Sequence, residues 1–166
     1  MNTLLVLFLL VAMIAALCSI VASRPRGAQL TALGNVGEGF QPARRTFQAD
    51  AVFGERYLLV KTGSTAAHVA LTGVGDIPKG FITDTPDVIG DEVAVAMLGL
   101  QSEGGIGVAS GAIANDALLV PGANGTVRTL PVAAGTYHII GRATKAAADT
   151  EQVEYTPCFP IQRVVA

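Results

Sequence analysis

Short apolar stretches separated by glycine-rich turns fill the chain from residue 51 onward and predict β-strands. Residues 57–60 are wholly apolar, which is typical of a strand covered on both faces. Residues 92–98 alternate between large apolar and small or polar side chains, which is the period of a half-buried strand. Asn124 and Gly125 lie between two apolar stretches and form the strongest hairpin signal in the chain. The pattern predicts an all-β domain over residues 51–166.

The strand pattern returns about 60 residues later along the chain. Three matches share an offset of 60 or 61: residues 57–60 with 117–120, Gly80 with Gly141, and Val93 with Val153. Residues 54–97 and 115–155 are therefore predicted to be two copies of one β-unit. The fold class would be a small β-barrel or sandwich built from two related halves. Chance similarity between two β-rich stretches is the alternative.

The strand positions also predict which side chains form the core. Seven large apolar residues are expected to be buried: Leu58, Val60, Val93, Val95, Leu119, Ile139 and Val153. If the two halves are copies, the strands near Tyr57 and Ala117 should occupy equivalent places in their sheets.

Residues 1–23 contain an almost unbroken apolar run and are predicted to form an N-terminal helix. The run covers residues 4–21, and 18 residues in a helix span roughly 27 Å, about the thickness of a bilayer core. A signal peptide, a single membrane anchor and a helix buried between subunits all fit this run. The absence of a basic residue before it argues against a signal peptide, whereas Arg24 and Arg26 after it suit an anchor.

Residues 24–50 are rich in glycine and proline and are predicted to be an extended arm or linker. Scattered large apolar residues in such a segment favour docking on a neighbouring molecule, although a loop packed on its own domain is the alternative. The adjacent arginines in the arm also fit a solvated turn. The candidate partner-contact residues of this arm are Leu30, Leu33, Phe40, Arg44, Arg45 and Phe47.

Composition and charge exclude several functional classes. The net charge is −2, and the chain from Gly27 onward is more acidic, with nine Lys/Arg against thirteen Asp/Glu. The chain has no basic stripe, no Trp and few other aromatic residues, which argues against nucleic-acid binding. Cys18 and Cys158 are too few for a disulfide framework and fit two isolated thiols.

Motifs for catalysis, metal binding and cofactor binding are missing from the sequence. Neither His68 nor His138 has a second His or Cys at metal-ligand spacing, so both are predicted to be ordinary strand residues. The glycine-rich residues 104–107 lack the lysine that a phosphate loop needs. We therefore expect no enzyme activity, no cofactor and no metal.

Four segments of the β-domain together resemble the capsid cement, or head-decoration, proteins of tailed bacteriophages. They read GERYLLVKTG, PKGFITDTPDVIGDEVAVAMLG, ANDALLVPGANGTV and IIGRATKAAADTEQVEY, and the resemblance covers residues 51–155. Residues 139–144 and 125–127 match the family pattern most closely. The apolar run at residues 4–21 departs from what we expect of this family.

The resemblance implies a non-enzymatic virion protein that decorates the capsid surface and bridges major capsid subunits. Its implied partners are the major capsid protein and further molecules of the same chain, with no nucleic acid. A membrane-anchored or secreted bacterial β-domain that acts as a binding module is the alternative, with residues 4–21 as its membrane contact.

Overall fold

Ten strands and one short 3₁₀ turn make up the part of the chain that the structure describes. The structure is a computed structural model, and it describes residues 43–100 and 104–166. The predicted N-terminal helix and most of the predicted arm lie outside the described residues. The strands are β1 (Arg44–Ala49), β2 (Leu59–Thr62), β3 (His68–Leu71), β4 (Gly80–Ile82), β5 (Glu92–Met97), β6 (Gly105–Val108), β7 (Leu118–Pro121), β8 (Val127–Thr129), β9 (Gly135–Ala143) and β10 (Gln152–Val165).

The strands form two five-stranded sheets that follow one another along the chain. The first is a closed barrel in the order β1-β3-β2-β4-β5, in which β1 runs parallel to β3 and antiparallel to β5. The second has the order β6-β10-β9-β7-β8. Its two ends meet at a single parallel bridge between Ala109 and Val127. The predicted all-β fold is confirmed.

The two sheets share one strand topology, as the predicted repeat requires. In the first sheet β1 pairs with β5, with Phe47 opposite Val93. In the second sheet β6 pairs with β10, with Gly107 opposite Val153, so both partners have moved by 60 residues. The parallel bridge that joins β6 to β8 corresponds to the parallel pairing of β1 with β3. We call residues 44–97 the first repeat and residues 105–157 the second repeat.

The turns of the two repeats are equivalent as well as the strands. Gly90 (φ 89°) and Thr150 (φ 67°) both have a left-handed backbone. Gly90 donates its N–H to the carbonyl of Ala49, and Thr150 donates its N–H to the carbonyl of Ala109, again at an offset of 60. A shared left-handed position within a shared hydrogen bond is not expected of two unrelated β-stretches. These turns therefore support duplication over chance similarity.

Each repeat begins one strand earlier than the sequence pattern predicted. The predicted arm extended to residue 50, but Arg44–Ala49 is a barrel strand, β1. Its equivalent β6 (Gly105–Val108) precedes the predicted second copy at residues 115–155 and opens the second repeat. β1 is polar at most positions, and β6 has two glycines among its four residues. Neither strand therefore carries the apolar alternation on which the prediction depended.

The predicted core residues are all buried, and they divide between two hydrophobic clusters and a smaller third one. One cluster fills the first barrel and includes Phe53, Val60 and Val95. A second cluster fills the second sheet and also includes residues from the outer face of the first barrel, such as Leu59 and Phe81. The seven residues predicted to be buried are at most 9% exposed: Leu58, Val60, Val93, Val95, Leu119, Ile139 and Val153.

Tyr155 joins the two repeats in the second core. It takes the place that Val95 has in the first repeat, because Gly105 lies opposite Tyr155 as Arg45 lies opposite Val95. A side chain at Gly105 would collide with the Tyr155 ring, so glycine leaves room for the larger residue. The ring of Phe81 in turn meets Tyr155 edge-to-face, with 6.3 Å between centroids. The outer face of the first repeat thus packs directly into the core of the second.

The last strand continues beyond the repeat. β10 has fourteen residues, and an irregularity in pairing between Pro157 and Ile161 separates its two parts. After this bulge, Ile161 pairs with Ile139 and Val165 with Gly135. β9 and β10 therefore form a long hairpin that extends the second sheet.

Candidate functional site

The candidate partner-contact residues fall into two groups. Leu30, Leu33 and Phe40 lie outside the described residues. Arg44, Arg45 and Phe47, which the sequence placed in an extended arm, are on strand β1 of the barrel. The prediction that these three residues lie in an extended arm was wrong, because backbone pairing with β3 and β5 holds this segment in the sheet.

Phe47 and two cations form a small patch on the first repeat. Phe47 is half-buried, and the Lys79 ammonium lies 4.2 Å from the centroid of its ring. Burial, and to a lesser extent the charge of Arg45, lowers the pKa of Lys79. A cation over an aromatic face is stabilised by the ring, and the exposed Arg45 adds a second donor. The patch can therefore bind a carboxylate or a carbonyl group of a partner protein.

Asp50, Ser64 and His68 form a hydrogen-bonded cluster that the sequence did not indicate. The Ser64 hydroxyl donates to Asp50 Oδ1 at 2.8 Å, and His68 Nδ1 lies 2.7 Å from the same oxygen. In a serine hydrolase the serine and the aspartate face opposite nitrogens of the imidazole ring. Here both face Nδ1, with Ser64 Oγ at 3.2 Å. The cluster therefore ties the end of β1 to the β2–β3 turn, and its geometry is not that of a nucleophile and its base.

We expect the Asp50 cluster to make the protein sensitive to acid. Hydrogen bonds from Ser64, and then from His68, hold the pKa of Asp50 below its ordinary value of 3.8. A depressed folded-state pKa stabilises the fold above the unfolded-state pKa, and this contribution is lost as the pH falls through the folded-state pKa. The Tm gap between the wild type and Asp50→Asn should therefore narrow as the pH falls below about 4.

Thermal melts followed by circular dichroism between pH 7 and pH 2 measure this gap. Ser64→Ala removes the largest cause of the shift and should show the same narrowing. A Tm gap that stays constant over this range would contradict the role assigned to Asp50.

Metal-ligating clusters and membrane-spanning helices are both absent from the described residues. Within residues 43–100 and 104–166, no group of three or more His, Cys, Asp or Glu side chains is placed to hold a metal ion. In the same part of the chain, no helix is long and apolar enough to cross a bilayer. His68 and His138 lie on β3 and β9, as the sequence predicted.

The outer face of the second repeat carries an open groove. Residues of β7, β9 and β10 line it, together with Asp116. We call this surface the arginine groove, and we call its large apolar lining residues the floor. The floor consists of Leu118, Ile139, Cys158 and Ile161, and the charged lining residues are Asp116, Arg142 and Arg163.

The arginine groove is the equivalent of a surface that is covered in the first repeat. Leu59 opposite Phe81 in the first repeat corresponds to Leu118 opposite Arg142 in the second. Leu59 and Phe81 are buried against the second repeat. In the second repeat the residue in the place of Phe81 is Arg142, which is exposed. The same face has therefore become an open surface with a cation.

Charge and polarity in the groove define what it can bind. Arg142 donates to the carbonyl of Asp116 at 2.8 Å and lies 3.1 Å from its carboxylate, so these two bonds hold the guanidinium in place. Arg163 is exposed. Burial raises the pKa of Cys158, so its thiol is a weakly reactive part of the floor. Apolar side chains between two guanidinium groups suit a partner segment that is apolar and acidic.

The groove was not predicted from the sequence, although the residues that build it are visible in the repeat. Phe81 and Arg142 directly follow the matched residues Gly80 and Gly141, and their comparison shows that one face has changed from apolar to cationic. The sequence does not show that this face is covered in the first repeat and open in the second.

Comparisons with known proteins identify a similar fold but no family. No model of a known protein family matches the chain, and no curated protein sequence matches it. Among solved structures, the chain is similar to the N base of the head fiber protein gp8.5 of bacteriophage phi29. The TM-score is 0.54 with 19% sequence identity, over 70% of this chain and 94% of that one. The chain therefore shares its fold with a base domain of a phage head fiber.

Proposed function

We propose that this chain is a non-enzymatic structural protein of a tailed-phage virion, located on the capsid surface. The observation that carries the proposal is the tandem β-repeat, whose fold is similar to that of the phi29 head fiber base. The resemblance of residues 51–155 to capsid cement proteins points to the same class.

The proposed mechanism is the bridging of major capsid subunits by protein–protein burial. The two repeats pack into one body through Phe81 and Tyr155, so contacts made by one repeat are held at a fixed distance from contacts made by the other. Two weak contacts on one rigid body bind far more tightly than either alone, because the second contact is intramolecular. We assign one capsid contact to Arg44, Arg45 and Phe47 on β1 of this body. The second contact is assigned to Leu30, Leu33 and Phe40, which lie outside the described residues but on the same chain, so that it too is intramolecular once the first has formed.

Purified virions of a phage that encodes this chain test the proposal. Mass spectrometry should detect the chain in the particles, and chemical cross-linking should join β1 to the major capsid protein. Arg45→Glu should reduce particle occupancy, whereas the matched single charge reversal Lys145→Glu, at an exposed site on the second repeat, should not. Particles that lack the chain would contradict the virion role. Cross-links to one capsid subunit only would contradict the bridging mechanism.

A membrane-anchored or secreted bacterial binding module is the second candidate. The apolar run at residues 4–21 favours it. Fractionation of cells that express the full chain separates the two candidates. An anchored module stays in the membrane fraction after a high-salt wash, whereas a capsid protein sediments with particles and is absent from membranes when no particles form.

A further inference from the structure

An acidic loop on the first repeat has an exposed apolar tip. Residues 84–92, which connect β4 to β5, read DTPDVIGDE and carry four carboxylates. At the tip, Val88 is 59% exposed and Ile89 is 72% exposed. Neighbouring large apolar side chains with this exposure, surrounded by like charges, indicate a contact surface more than a solvated turn. We call residues 84–92 the acidic loop.

Backbone hydrogen bonds hold the acidic loop in one conformation. The Asp91 carboxylate accepts hydrogen bonds from the N–H groups of Asp87 and Val88, both at 2.9 Å. Gly90 donates its N–H to the carbonyl of Ala49 on β1 at 2.8 Å. A loop that is already ordered loses little conformational entropy when it binds. Its apolar tip is therefore presented as a preformed knob.

The acidic loop and the arginine groove are complementary within one sequence. The loop offers two apolar side chains between carboxylates. The groove offers an apolar floor and the exposed cation Arg163, whereas its other cation, Arg142, is paired with Asp116. Neither surface fits itself, because two loops or two grooves would bring like charges together. The contact that these surfaces favour is a loop against a groove.

Each chain carries one such loop and one such groove. In the second repeat the residues equivalent to Val88 and Ile89 are Ala148 and Asp149, as the matching turns Val88–Asp91 and Ala148–Glu151 show. That turn therefore lacks the apolar tip. In the first repeat the face equivalent to the groove is buried against the second repeat. The described residues thus contain one loop with an apolar tip, the acidic loop, and one open groove that can receive it, the arginine groove.

We propose that the arginine groove is the docking site for a second molecule of this chain, which inserts its acidic loop. Val88 and Ile89 of one molecule lie on Ile139 and Ile161 of the next, and Asp87 faces Arg163. Such a contact joins unlike surfaces, so it is head-to-tail and produces a ring if the rotation closes or a chain if it does not. The inference goes beyond the proposed function, because the contact forms without a capsid.

Site-specific disulfide cross-linking of the full chain tests this contact. Both partners carry Cys18→Ser and Cys158→Ser, so that the engineered thiols react alone. One partner then carries Ile89→Cys and the other Ile161→Cys, at a position in the groove that is 57% exposed. Mild oxidation of the mixture should give a disulfide-linked heterodimer. The control is Val74→Cys in place of Ile89→Cys, since Val74 is 55% exposed on another loop of the first repeat.

The cross-linking yields of Ile89→Cys and Val74→Cys are compared under the same conditions, which shows whether the contact is specific to the acidic loop. Association through any other segment raises the yields from positions 74 and 89 alike, whereas docking of the loop favours position 89. A yield from Ile89→Cys no greater than that from Val74→Cys overturns the proposal. So does a cross-link that forms only within one chain carrying both thiols, because the loop would then lie against its own groove.

Charge reversal provides an independent measurement on the same cross-link. Arg163→Glu in the groove partner should slow its formation by about fivefold or more. Asp87→Lys in the loop partner should restore the rate with that groove and slow it with the original one. Asp87 suits this test because Asp91, and not Asp87, caps the loop backbone. Rates that do not respond to the pairing of charges overturn the assignment of these two residues.

The outcome separates this inference from the proposed function. No capsid is present in the cross-linking experiment, so its failure leaves the virion role intact. A groove thiol that cross-links to the major capsid protein on virions, but not to position 89, makes the groove a capsid contact and overturns self-association.

Discussion

Val95→Asp should lower the free energy of unfolding by about 5 kcal/mol. Val95 is 0% exposed and packs inside the first barrel with Val60, Val69 and Ile82. The substitution removes the burial of a valine side chain, worth about 1.5–3 kcal/mol, and leaves a carboxylate without a cation in an apolar core. A loss of this size approaches the whole stability of a typical domain, about 5–15 kcal/mol.

Chemical denaturation and thermal melting measure this loss against a matched control. Thr46→Asp places the same charge at an exposed position on β1, the neighbouring strand of the barrel. It should change the free energy of unfolding by no more than about 0.5 kcal/mol. If Val95→Asp melts within a few degrees of Thr46→Asp, Val95 does not lie in the core.

Buried residues of a strand were predictable because apolar and polar side chains alternate along it. On β5, Val93 and Val95 alternate with Glu92 and Ala94, and the structure buries the two valines and exposes Glu92. A period of two fixes which face is apolar without any knowledge of the partner strands. This is why Val93 and Val95 were correctly predicted to be buried although the sheet order was not predicted.

β1 was not predictable because its apolar side chains are too few. Only Phe47 and Ala49 among its six residues are buried or half-buried, and two arginines open the strand. Its place in the sheet is set by the strands on either side, since it pairs with β3 and β5. Tertiary pairing of this kind overrides local propensity. Proline and glycine just before it also favoured the interpretation as an arm.

The alignment of the repeats was predicted to within one residue but not better. The shared letters Leu-Leu-Val matched Tyr57 to Ala117. The backbone instead matches Tyr57 to Asp116, because both have a φ of 66°. Each also donates its N–H to the carbonyl of the last residue of an equivalent strand, Ile82 of β4 and Ala143 of β9 respectively. One loop of the second repeat is a residue shorter, which similarity of side chains does not reveal.

The candidate contact surfaces depend on what covers each repeat, and this is information that no single segment carries. Leu59 and Leu118 look alike in sequence, yet one is buried between the repeats and the other lines an open groove. Only the packing of the second repeat onto the first distinguishes them. The acidic loop, by contrast, contains the turn-forming residues Asp84, Pro86 and Asp87, although the sequence does not show that its apolar tip is exposed.

Gly80→Ala and Gly141→Ala should each lower the free energy of unfolding by about 2 kcal/mol or more. The two glycines are equivalent, since Gly80 lies opposite Val60 and Gly141 opposite Leu119. A Cβ at Gly80 would collide with the backbone carbonyl of Ala96, and one at Gly141 would collide with that of Thr156. Because backbone atoms within a sheet cannot move aside cheaply, the strands must separate.

The matched control for this pair is Gly54→Ala, at a site where a Cβ meets nothing within 4 Å. Gly54→Ala should be neutral or slightly stabilising, because alanine reduces the freedom of the unfolded chain. Equilibrium unfolding in urea gives the three values directly. In each repeat the glycine allows the same close approach of two strands. A loss of unfolding free energy in both variants therefore supports the duplication. If Gly141→Ala leaves the free energy of unfolding unchanged while Gly80→Ala lowers it strongly, the strands of the second repeat do not approach as closely. That result would contradict the structural equivalence.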